Sequence, residues 1–187
     1  VKNVEKEIIS TIDVSSIVKA AKRHQIDGIM TLATDKPMRA VAEVCEEMNL
    51  AGISRNTALK ATNKAEMRAV LKEYNVPIPR FYKIRNKLEY KRVVQEFDRP
   101  FIVKPVDSSG SRGIFAVTDP TEQKLVDKAY EYCYVHAKGE GMIVEEYMKG
   151  PEVSVETLSI NGVCHIVQIT DKVTTGVPHY VEMGHSQ

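Results

Sequence analysis

The sequence predicts an α/β fold that contains a compact α+β unit and continues into a second sheet. Apolar residues in the first part recur at helical spacing between short apolar segments, a pattern typical of alternating helices and strands. The part from 81 to 146 alternates short apolar strands with helices. Beyond it, two alternating runs flank Asn161-Gly162, a pair that favours the type I′ hairpin turn.

The first 55 residues are predicted to form helices and strands in alternation. Apolar positions 14, 17, 18 and 21 predict a helix over residues 14–24, and Ile26 to Ala33 has the composition of a buried strand. Asp35-Lys36-Pro37 opens a second helix that runs to about Asn49, with proline near its first turn. A short strand, Ala51-Gly52-Ile53, follows, so this part is predicted to be parallel α/β.

The rest of the chain is predicted to contain a pair of helices, an α+β unit and a hairpin. Asn56 to Asn75 forms two helices that break near Thr62-Asn63, where either residue can cap the second helix. The α+β unit consists of strand 81–84, helix 87–97, strand 100–104, strand 114–117, a helix from Asp119-Pro120 to about Lys138 and strand 142–146. The hairpin strands are 153–160 and 163–169.

Composition excludes several classes of function. The 26 basic and 25 acidic side chains nearly cancel, which argues against bulk attraction to nucleic acid or membrane. No apolar run approaches 18 residues, and no signal-peptide pattern is present, so we expect a cytoplasmic protein. The odd number of cysteines, Cys45, Cys133 and Cys164, indicates reduced packing residues rather than disulfides or a metal site.

A strand that delivers a lysine to a loop of small residues is the most informative motif. Phe101-Ile102-Val103-Lys104-Pro105 precedes Asp107 to Gly113, and a second strand leaves the loop. Backbone N–H groups of such a loop can approach a polyphosphate closely, and the lysine adds a charge that reaches the same anion. The alternative is an ordinary β-hairpin with a polar turn.

A second motif follows the strand over residues 142–146. The strand ends in Glu145-Glu146, the chain turns at Gly150-Pro151, and an alternating strand begins. An extended segment of this kind can offer a carbonyl and an amide to the edge of a purine. Glu152, seven residues after Glu145, is then placed for ribose hydroxyls.

The chain carries a Lys-Pro strand, a Gly/Ser loop, an acidic hinge and a Gly-x-Glu step, in this order. This series of motifs resembles the ATP-grasp superfamily, and most nearly D-alanine–D-alanine ligases and L-amino acid ligases. The resemblance covers about residues 55 to 185. It implies a partial ATP-grasp fold preceded by the tail of a Rossmann-like domain, and, since complete members are considerably longer, a fragment. The implied domains are 1–55 (end of the preceding domain), 56–80 (helical linker), 81–148 (lid subdomain) and 149–187 (start of the central subdomain).

The resemblance implies that two lysines contact the nucleotide phosphates. One is Lys104, for which the alternative is a structural salt bridge, since a buried ammonium needs an anion. The other is Lys64 at a helix start, for which the alternative is a solvated helix face. Residues Ser109, Gly110 and Ser111 would fold over the phosphates. Arg112, larger than the residue usual in D-alanine ligases, would contact phosphate or pair with Asp107.

By the same resemblance, residues after the hinge strand bind the nucleoside. Glu145 would accept from the adenine amino group through its carbonyl, and Met148 would donate its N–H to the ring. Tyr147 would lie against the base, and Glu152 would bind the ribose. Glu146 is also counted among the ATP-binding residues. The alternative for Glu145 and Glu146 is plain surface acidity.

The segment around Val181-Glu182-Met183-Gly184-His185 resembles the part of amino-acid ligases where substrate and metal meet. Glu182 would bind the metal or the substrate amine, and His185 would line the pocket. The main ligands for Mg²⁺ (or Mn²⁺) would lie outside the given sequence, and no catalytic residue is assigned within it. His179 and His185 match no standard zinc spacing.

The implied function is ATP binding for a carboxylate–amine ligase that works through an acyl phosphate. Alternatives are a bicarbonate-activating enzyme similar to carbamoyl phosphate synthetase or biotin carboxylase, and a nucleotide-binding module without turnover. We expect ATP and Mg²⁺ as cofactors and small carboxylates and amines as partners. The oligomeric state cannot be read from the sequence, although many relatives are homodimers. The fragment alone is expected to be inactive, and its substrates cannot be read from the sequence.

Overall fold

The computed structural model describes residues 4–32, 34–137 and 139–187. The chain divides into two compact units, of which the first ends at Ile78 and the second begins at Pro79. Each unit is built differently. The elements of the first unit are α1 (Val14–His24), α2 (Met38–Met48), α3 (Arg55–Thr62) and α4 (Lys64–Glu73).

The helices of the first unit begin and end where local chemistry dictates. Asp13 and Ser54 accept backbone N–H groups at the starts of α1 and α3. Asn63 separates α3 from α4 and accepts the N–H groups of Ala65 and Glu66, so it satisfies two donors that the helix start leaves open. The predicted break at Thr62-Asn63 is therefore confirmed, with Asn63 as the cap.

Two predicted strands of the first unit are wrong. Ile26 to Leu32 and Ala51 to Ile53 have no strand structure, and Met30 and Leu32 are 73% and 75% exposed; Ala33, the last residue of the first prediction, lies outside the described residues. An isolated strand leaves its backbone N–H and C=O groups unpaired. In the described part of this unit no neighbouring strand pairs with them, so apolar composition alone does not produce a strand.

The second unit contains two antiparallel sheets. Its elements are β1 (Phe81–Ile84), α5 (Lys87–Val93) with a 3₁₀ turn (Val94–Glu96), β2 (Phe101–Pro105), β3 (Phe115–Val117), α6 (Gln123–Ala137), β4 (Met142–Glu146), β5 (Val153–Ile160), β6 (Val163–Thr174) and β7 (Glu182–Ser186). Within the described residues the first sheet has the order β1-β4-β2-β3 and the second β5-β6-β7.

The hydrophobic core lies between the first sheet and its helices. Phe101 and Val103 alternate with half-buried residues along β2, so they share one face and pack with α6. Tyr90 of α5 is fully buried, and its hydroxyl donates to the Val126 carbonyl at 2.8 Å. Burying a side chain as large as Phe101 contributes about 2–3 kcal/mol. The predicted α+β unit from 81 to 146 is confirmed.

The structure corrects two element boundaries, adds one strand and changes the interpretation of one cysteine. α6 begins at Gln123 instead of Asp119-Pro120, because the Asp119 carboxylate accepts the N–H of Thr121 and forms a turn there; Lys138, its predicted end, lies outside the described residues. β6 runs on to Thr174, and β7 occupies part of the stretch predicted as polar loop. Cys45 and Cys133 are buried, but Cys164 is exposed on β6 and does not pack.

The second sheet starts with the predicted hairpin. Asn161 and Gly162 both have positive φ (50° and 80°), as a type I′ turn requires, and β5 pairs with β6 across them. Ser154 and Glu156 share a face, since their side chains hydrogen-bond at 3.0 Å. Apolar side chains of this sheet are largely exposed, among them Ile166 at 66% and Val167 at 68%.

None of the helices in the described residues combines the length and apolar character needed to cross a membrane.

Candidate nucleotide site

Lys104 and Glu145 form a buried ion pair on the first sheet. In the register of β2 and β4, Lys104 lies opposite Ile143 and Glu145 opposite Ile102, so the two charged residues are diagonal neighbours on one face. That face is turned away from the core around Val103. The ammonium contacts the Glu145 carboxylate, with the side chains 16% and 3% exposed. The sequence left a phosphate lysine and a structural salt bridge as alternatives, and the structure shows the salt bridge in place.

The loop from Asp107 to Gly113 begins three residues after Lys104. Gly110 and Ser111 have φ of 64° and 56°, and Gly113 has φ of 80°. A Cβ on Gly113 would lie 2.6 Å from the Cβ of His136 and 2.7 Å from a Pro105 ring carbon, so only glycine fits where the loop returns to β3. The loop is therefore fixed at its end and exposed at Gly110 and Arg112.

Arg112 contacts its own loop. Its Nε–H donates to the Ser109 carbonyl at 3.2 Å. This contact differs from the pairing with Asp107 that the sequence offered as one alternative. The side chain is exposed, and its role toward a phosphate stays a prediction.

The hinge, residues 145–148, leaves β4 in an ordered, extended course. The N–H of Glu146 donates to the Arg80 carbonyl at 2.9 Å, and the N–H of Tyr147 donates to the Pro100 carbonyl at 3.1 Å. Met148 follows with its side chain 65% exposed. The Tyr147 hydroxyl lies 2.6 Å from the hydroxyl of Tyr180.

Two carboxylates, a lysine and a histidine meet at the open end of the second sheet, in an arrangement we call the Lys172 network. The Lys172 ammonium lies 2.7 Å from a Glu152 oxygen and 3.3 Å from a Glu182 oxygen. His185 Nε2 lies 2.9 Å from the other Glu182 oxygen, and its Nδ1 lies 2.9 Å from the Thr170 hydroxyl. The network joins the predicted ribose carboxylate to the two residues predicted near substrate.

A β-bulge explains how Glu182 and His185 come together. Residues three apart in a regular strand point to opposite faces. In β7, Gly184 pairs with Val173 but Glu182 pairs with Thr174, which leaves Met183 as an extra residue and turns Glu182 to the face of His185. The sequence contains no signal for this bulge beyond Gly184, and it also gave no hint of Lys172 or Tyr180.

Ion pairing shifts the pKa values within the network. Hydrogen bonds from His185 and then Lys172 lower the pKa of Glu182 below its ordinary value. The hydrogen bond to Glu152, followed by the charges of both carboxylates, raises the pKa of Lys172 despite its partial burial. Both groups therefore stay charged at neutral pH.

The described residues contain no group of three or more His, Cys, Asp or Glu side chains that could hold a metal ion. Glu182 is bonded to Lys172 and His185. His179 Nδ1 lies 2.9 Å from the Ile114 carbonyl, whereas the His185 ring contacts Glu182 and Thr170. These residues do not fit a Mg²⁺ site by themselves.

Lys64 belongs to the first unit, as the first residue of α4. The other predicted site residues, from Lys104 to His185, all lie in the second unit. A phosphate contact by Lys64 stays a prediction.

A family profile described as an ATP-grasp domain matches residues 61–185. The chain belongs to the ATP-grasp family. This confirms the predicted family and the partial ATP-grasp fold, although the strands predicted before residue 55 are absent from its described part.

Among curated relatives, the chain is 27% identical over 152 residues to the phosphoribosylamine–glycine ligase of Methanosphaera stadtmanae, covering 76% of this chain and 34% of that protein. Among solved structures it is similar to an L-amino acid ligase from Bacillus licheniformis, with a TM-score of 0.72 and 25% identity over 90% of this chain and 38% of that one.

A third similarity is to the biotin carboxylase domain dimer of a 2-oxoglutarate carboxylase from Hydrogenobacter thermophilus, solved with MgADP, ADP and bicarbonate (TM-score 0.68, 21% identity, 86% of this chain and 37% of that one). At this identity the similarity shows the fold alone. The chain spans about a third of the length of the curated relatives it matches first.

Proposed function

We propose that this ATP-grasp chain is the ATP-binding part of an ATP-dependent carboxylate–amine ligase that acts through an acyl phosphate. The observation that carries the proposal is the position of Lys104. Strand β2 ends two residues before the 107–113 loop begins, and Glu145 of the neighbouring strand fixes the Lys104 side chain on the sheet face opposite the core. A fixed cation next to a loop of small residues is suited to a polyphosphate.

The nucleoside would lie along the hinge. The Glu145 carbonyl and the Met148 N–H would hydrogen-bond the adenine edge, with Tyr147 against the base and Glu152 on the ribose hydroxyls. Support comes from the ordered course of residues 145–147 and from Lys172, which orients the Glu152 carboxylate. Ser109, Gly110 and Ser111 would close over the β- and γ-phosphates, and a phosphate contact by Lys64 is part of the same proposal.

In the proposed reaction a substrate carboxylate oxygen attacks the γ-phosphorus, and the bond to the β,γ-bridging oxygen breaks, so that ADP leaves. The amine then attacks the acyl carbon, loses a proton, and expels inorganic phosphate. Phosphorylation is needed because a carboxylate is a poor electrophile. Lys104 and the loop amides would stabilise the charge of the transferring group.

Nucleotide binding is tested with Lys104→Met, which keeps the apolar stem and removes the charge. We expect it to weaken ATP binding at least tenfold, measured by calorimetry, because a charge-assisted phosphate contact is lost. Lys124→Met, on the exposed face of α6, is the matched control and leaves affinity unchanged. Equal ATP affinity in both variants, with circular dichroism showing intact folding, would contradict the assignment of Lys104.

The reaction class is tested by ADP release from the whole protein with Mg²⁺, against single and paired amino acids and against bicarbonate with an amine. ADP that appears only with a particular carboxylate establishes the ligase and names its substrate. Bicarbonate-dependent ADP supports the carbamoyl phosphate synthetase or biotin carboxylase alternative. ATP binding without ADP under any condition supports a module without turnover.

We also propose Mg²⁺ or Mn²⁺ as the metal, a cytoplasmic location and a homodimeric state. By the family resemblance, Glu182 is the residue of this chain that would bind the metal. Its contacts with Lys172 and His185 would have to break before it could do so. Sedimentation velocity of the whole protein tests the dimer, and titration of Glu182→Gln with Mn²⁺ tests the ligand.

A further inference from the structure

The loop between β6 and β7, residues 175–181, is closed on itself. The N–H of Thr175 donates to the Val181 carbonyl at 2.9 Å, and the Val181 N–H donates to the Thr175 hydroxyl at 3.1 Å. The N–H of Tyr180 donates to the Gly176 carbonyl at 2.9 Å. These hydrogen bonds give the 175–181 loop a defined shape, and its tip can therefore act as a rigid contact surface.

The tip of the 175–181 loop packs against the first sheet. The Pro178 carbonyl accepts the N–H of Ala116, on the edge strand β3, at 2.9 Å. The His179 ring lies between Phe115 and Tyr132, with ring centroids 5.5 and 4.5 Å away. The loop is thus held beside the 107–113 loop, which leads into β3.

Tyr180 connects two parts of the candidate nucleotide site. Its carbonyl accepts the hydroxyl of Ser111 at 2.7 Å, and its own hydroxyl lies 2.6 Å from that of Tyr147. Ser111 belongs to the 107–113 loop and Tyr147 to the hinge. We call these two hydrogen bonds the Tyr180 bridge. Burial, with the bond to Tyr147, raises the pKa of Tyr180 to about 12, so the hydroxyl keeps its proton at neutral pH.

Ser111 and Tyr180, which the hydroxyl–carbonyl hydrogen bond joins, both have unusual backbone conformations. Ser111 has φ of 56° and Tyr180 φ of 50°, in the left-handed region that residues with a Cβ seldom adopt. Such a conformation is strained and persists where surrounding contacts demand it. Here the hydrogen bonds of the bridge supply those contacts, which argues that the arrangement is specifically maintained.

We infer that Tyr180 is a positioning residue that fixes the 107–113 loop at a set distance from the hinge, so that the phosphates and the base of one nucleotide are held together. The inference rests on the proposed function. It adds a role for a residue that contacts neither base nor phosphate in that proposal. ATP touches both the loop and the hinge, whereas adenosine touches only the hinge, so the bridge should favour ATP over adenosine.

The bridge itself is tested without nucleotide, by trypsin cleavage after Arg112, an exposed residue of the loop. In the whole protein, Ser111→Ala removes the donor to Tyr180 and should speed this cleavage by about 3–10-fold, because local opening becomes easier. Ser109→Ala, two residues away, keeps that bond and serves as the control for proteolysis. Mass spectrometry follows the peptide that ends at Arg112. Equal rates for the two variants would overturn the bridge.

The positioning role is tested by nucleotide affinity in Tyr180→Phe, which keeps the ring and the backbone carbonyl. We expect the ratio of ATP to adenosine affinity to fall by about fivefold. Tyr147→Phe removes the same hydrogen bond between hydroxyls. The double variant Tyr147→Phe/Tyr180→Phe should therefore have a ratio of ATP to adenosine affinity no lower than that of the more affected single variant.

The outcomes separate the two proposals. If the wild type binds ATP and Tyr180→Phe has the same ratio of ATP to adenosine affinity, the positioning role is rejected and the proposed function stands. If the wild type does not bind ATP, the proposed function falls and this role falls with it, while the trypsin rates still show whether the bridge exists.

Discussion

The two sheets of the second unit are both antiparallel, but they are stabilised in different ways. The β1-β4-β2-β3 sheet buries Phe101, Val103 and Val144 completely against its helices. The β5-β6-β7 sheet leaves Leu158, Ile166 and other apolar side chains more than half exposed, and depends on its ladder, the Lys172 network and the docked 175–181 loop. The first sheet is therefore a scaffold held by burial, and the second a platform held by polar contacts.

The strongest test of this difference compares two apolar truncations. Phe101→Ala should lower the free energy of unfolding by about 3–5 kcal/mol, since it opens a cavity in the core. Ile166→Ala, at 66% exposure on β6, should cost at most about 0.5 kcal/mol. Urea titration followed by circular dichroism measures both. A large loss for Ile166→Ala would mean that the second sheet is buried in solution.

The next largest loss of unfolding free energy is expected on breaking the Lys104–Glu145 ion pair, on the face of the first sheet opposite the core. Lys104→Met removes the ammonium that contacts the Glu145 carboxylate, which is 3% exposed, and should lower the free energy of unfolding by about 1–3 kcal/mol. The double variant Lys104→Met/Glu145→Leu should recover most of this loss, because it removes the charge as well. Urea midpoints of the two variants decide the matter, and a double variant less stable than the single one would contradict it.

The buried hydroxyl of Tyr90 gives a smaller effect that depends on pH. Tyr90→Phe should cost about 1 kcal/mol at pH 7, since the hydrogen bond to Val126 is lost. Burial raises the pKa of Tyr90 above its ordinary value of 10.0, so the unfolded state ionises first. Wild-type stability is then complete below pH 10 and falls as the pH rises above it.

That alkaline loss should be smaller in Tyr90→Phe, with melting temperatures between pH 8 and 11 as the measurement. Identical slopes in the two proteins would show that the hydroxyl is solvated in the folded state.

The Lys172 network should contribute least to stability, because its members are partly exposed. Lys172→Met is expected to change the free energy of unfolding by less than about 1 kcal/mol. The pKa of Glu182 is lowered in the folded state, so its contribution is present above the unfolded value near 4.5 and is lost as the pH falls. Carbon-13 NMR titration should show the Glu182 pKa rising in this variant; an unmoved pKa would leave His185 as its sole determinant.

The sequence predicted elements wherever a local pattern sufficed. Asn63 marks a helix start by its chemistry, and Asn161-Gly162 marks a hairpin because few residues tolerate its backbone. The strand predicted over Ile26 to Leu32 is wrong because a strand depends on a partner that the sequence pattern does not reveal.

Prediction of the candidate site had the same limit. Lys104, Glu145 and Glu152 follow from their order along the chain, but their mutual contacts depend on strand register. Lys172 and Tyr180 were missed because the bulge at Met183 and a contact between residues 111 and 180 are tertiary features. A family resemblance supplies roles for the residues of a motif and leaves out the neighbours that orient them.

Docking of Pro178 on β3 also bears on aggregation. An edge strand with free N–H groups can recruit a strand from another molecule. On β3 the outward N–H of Ala116 is already bonded to the Pro178 carbonyl, and proline has no N–H with which to continue a ladder. The same short loop that meets the candidate nucleotide site thereby ends the sheet on this side and protects it from intermolecular strand addition.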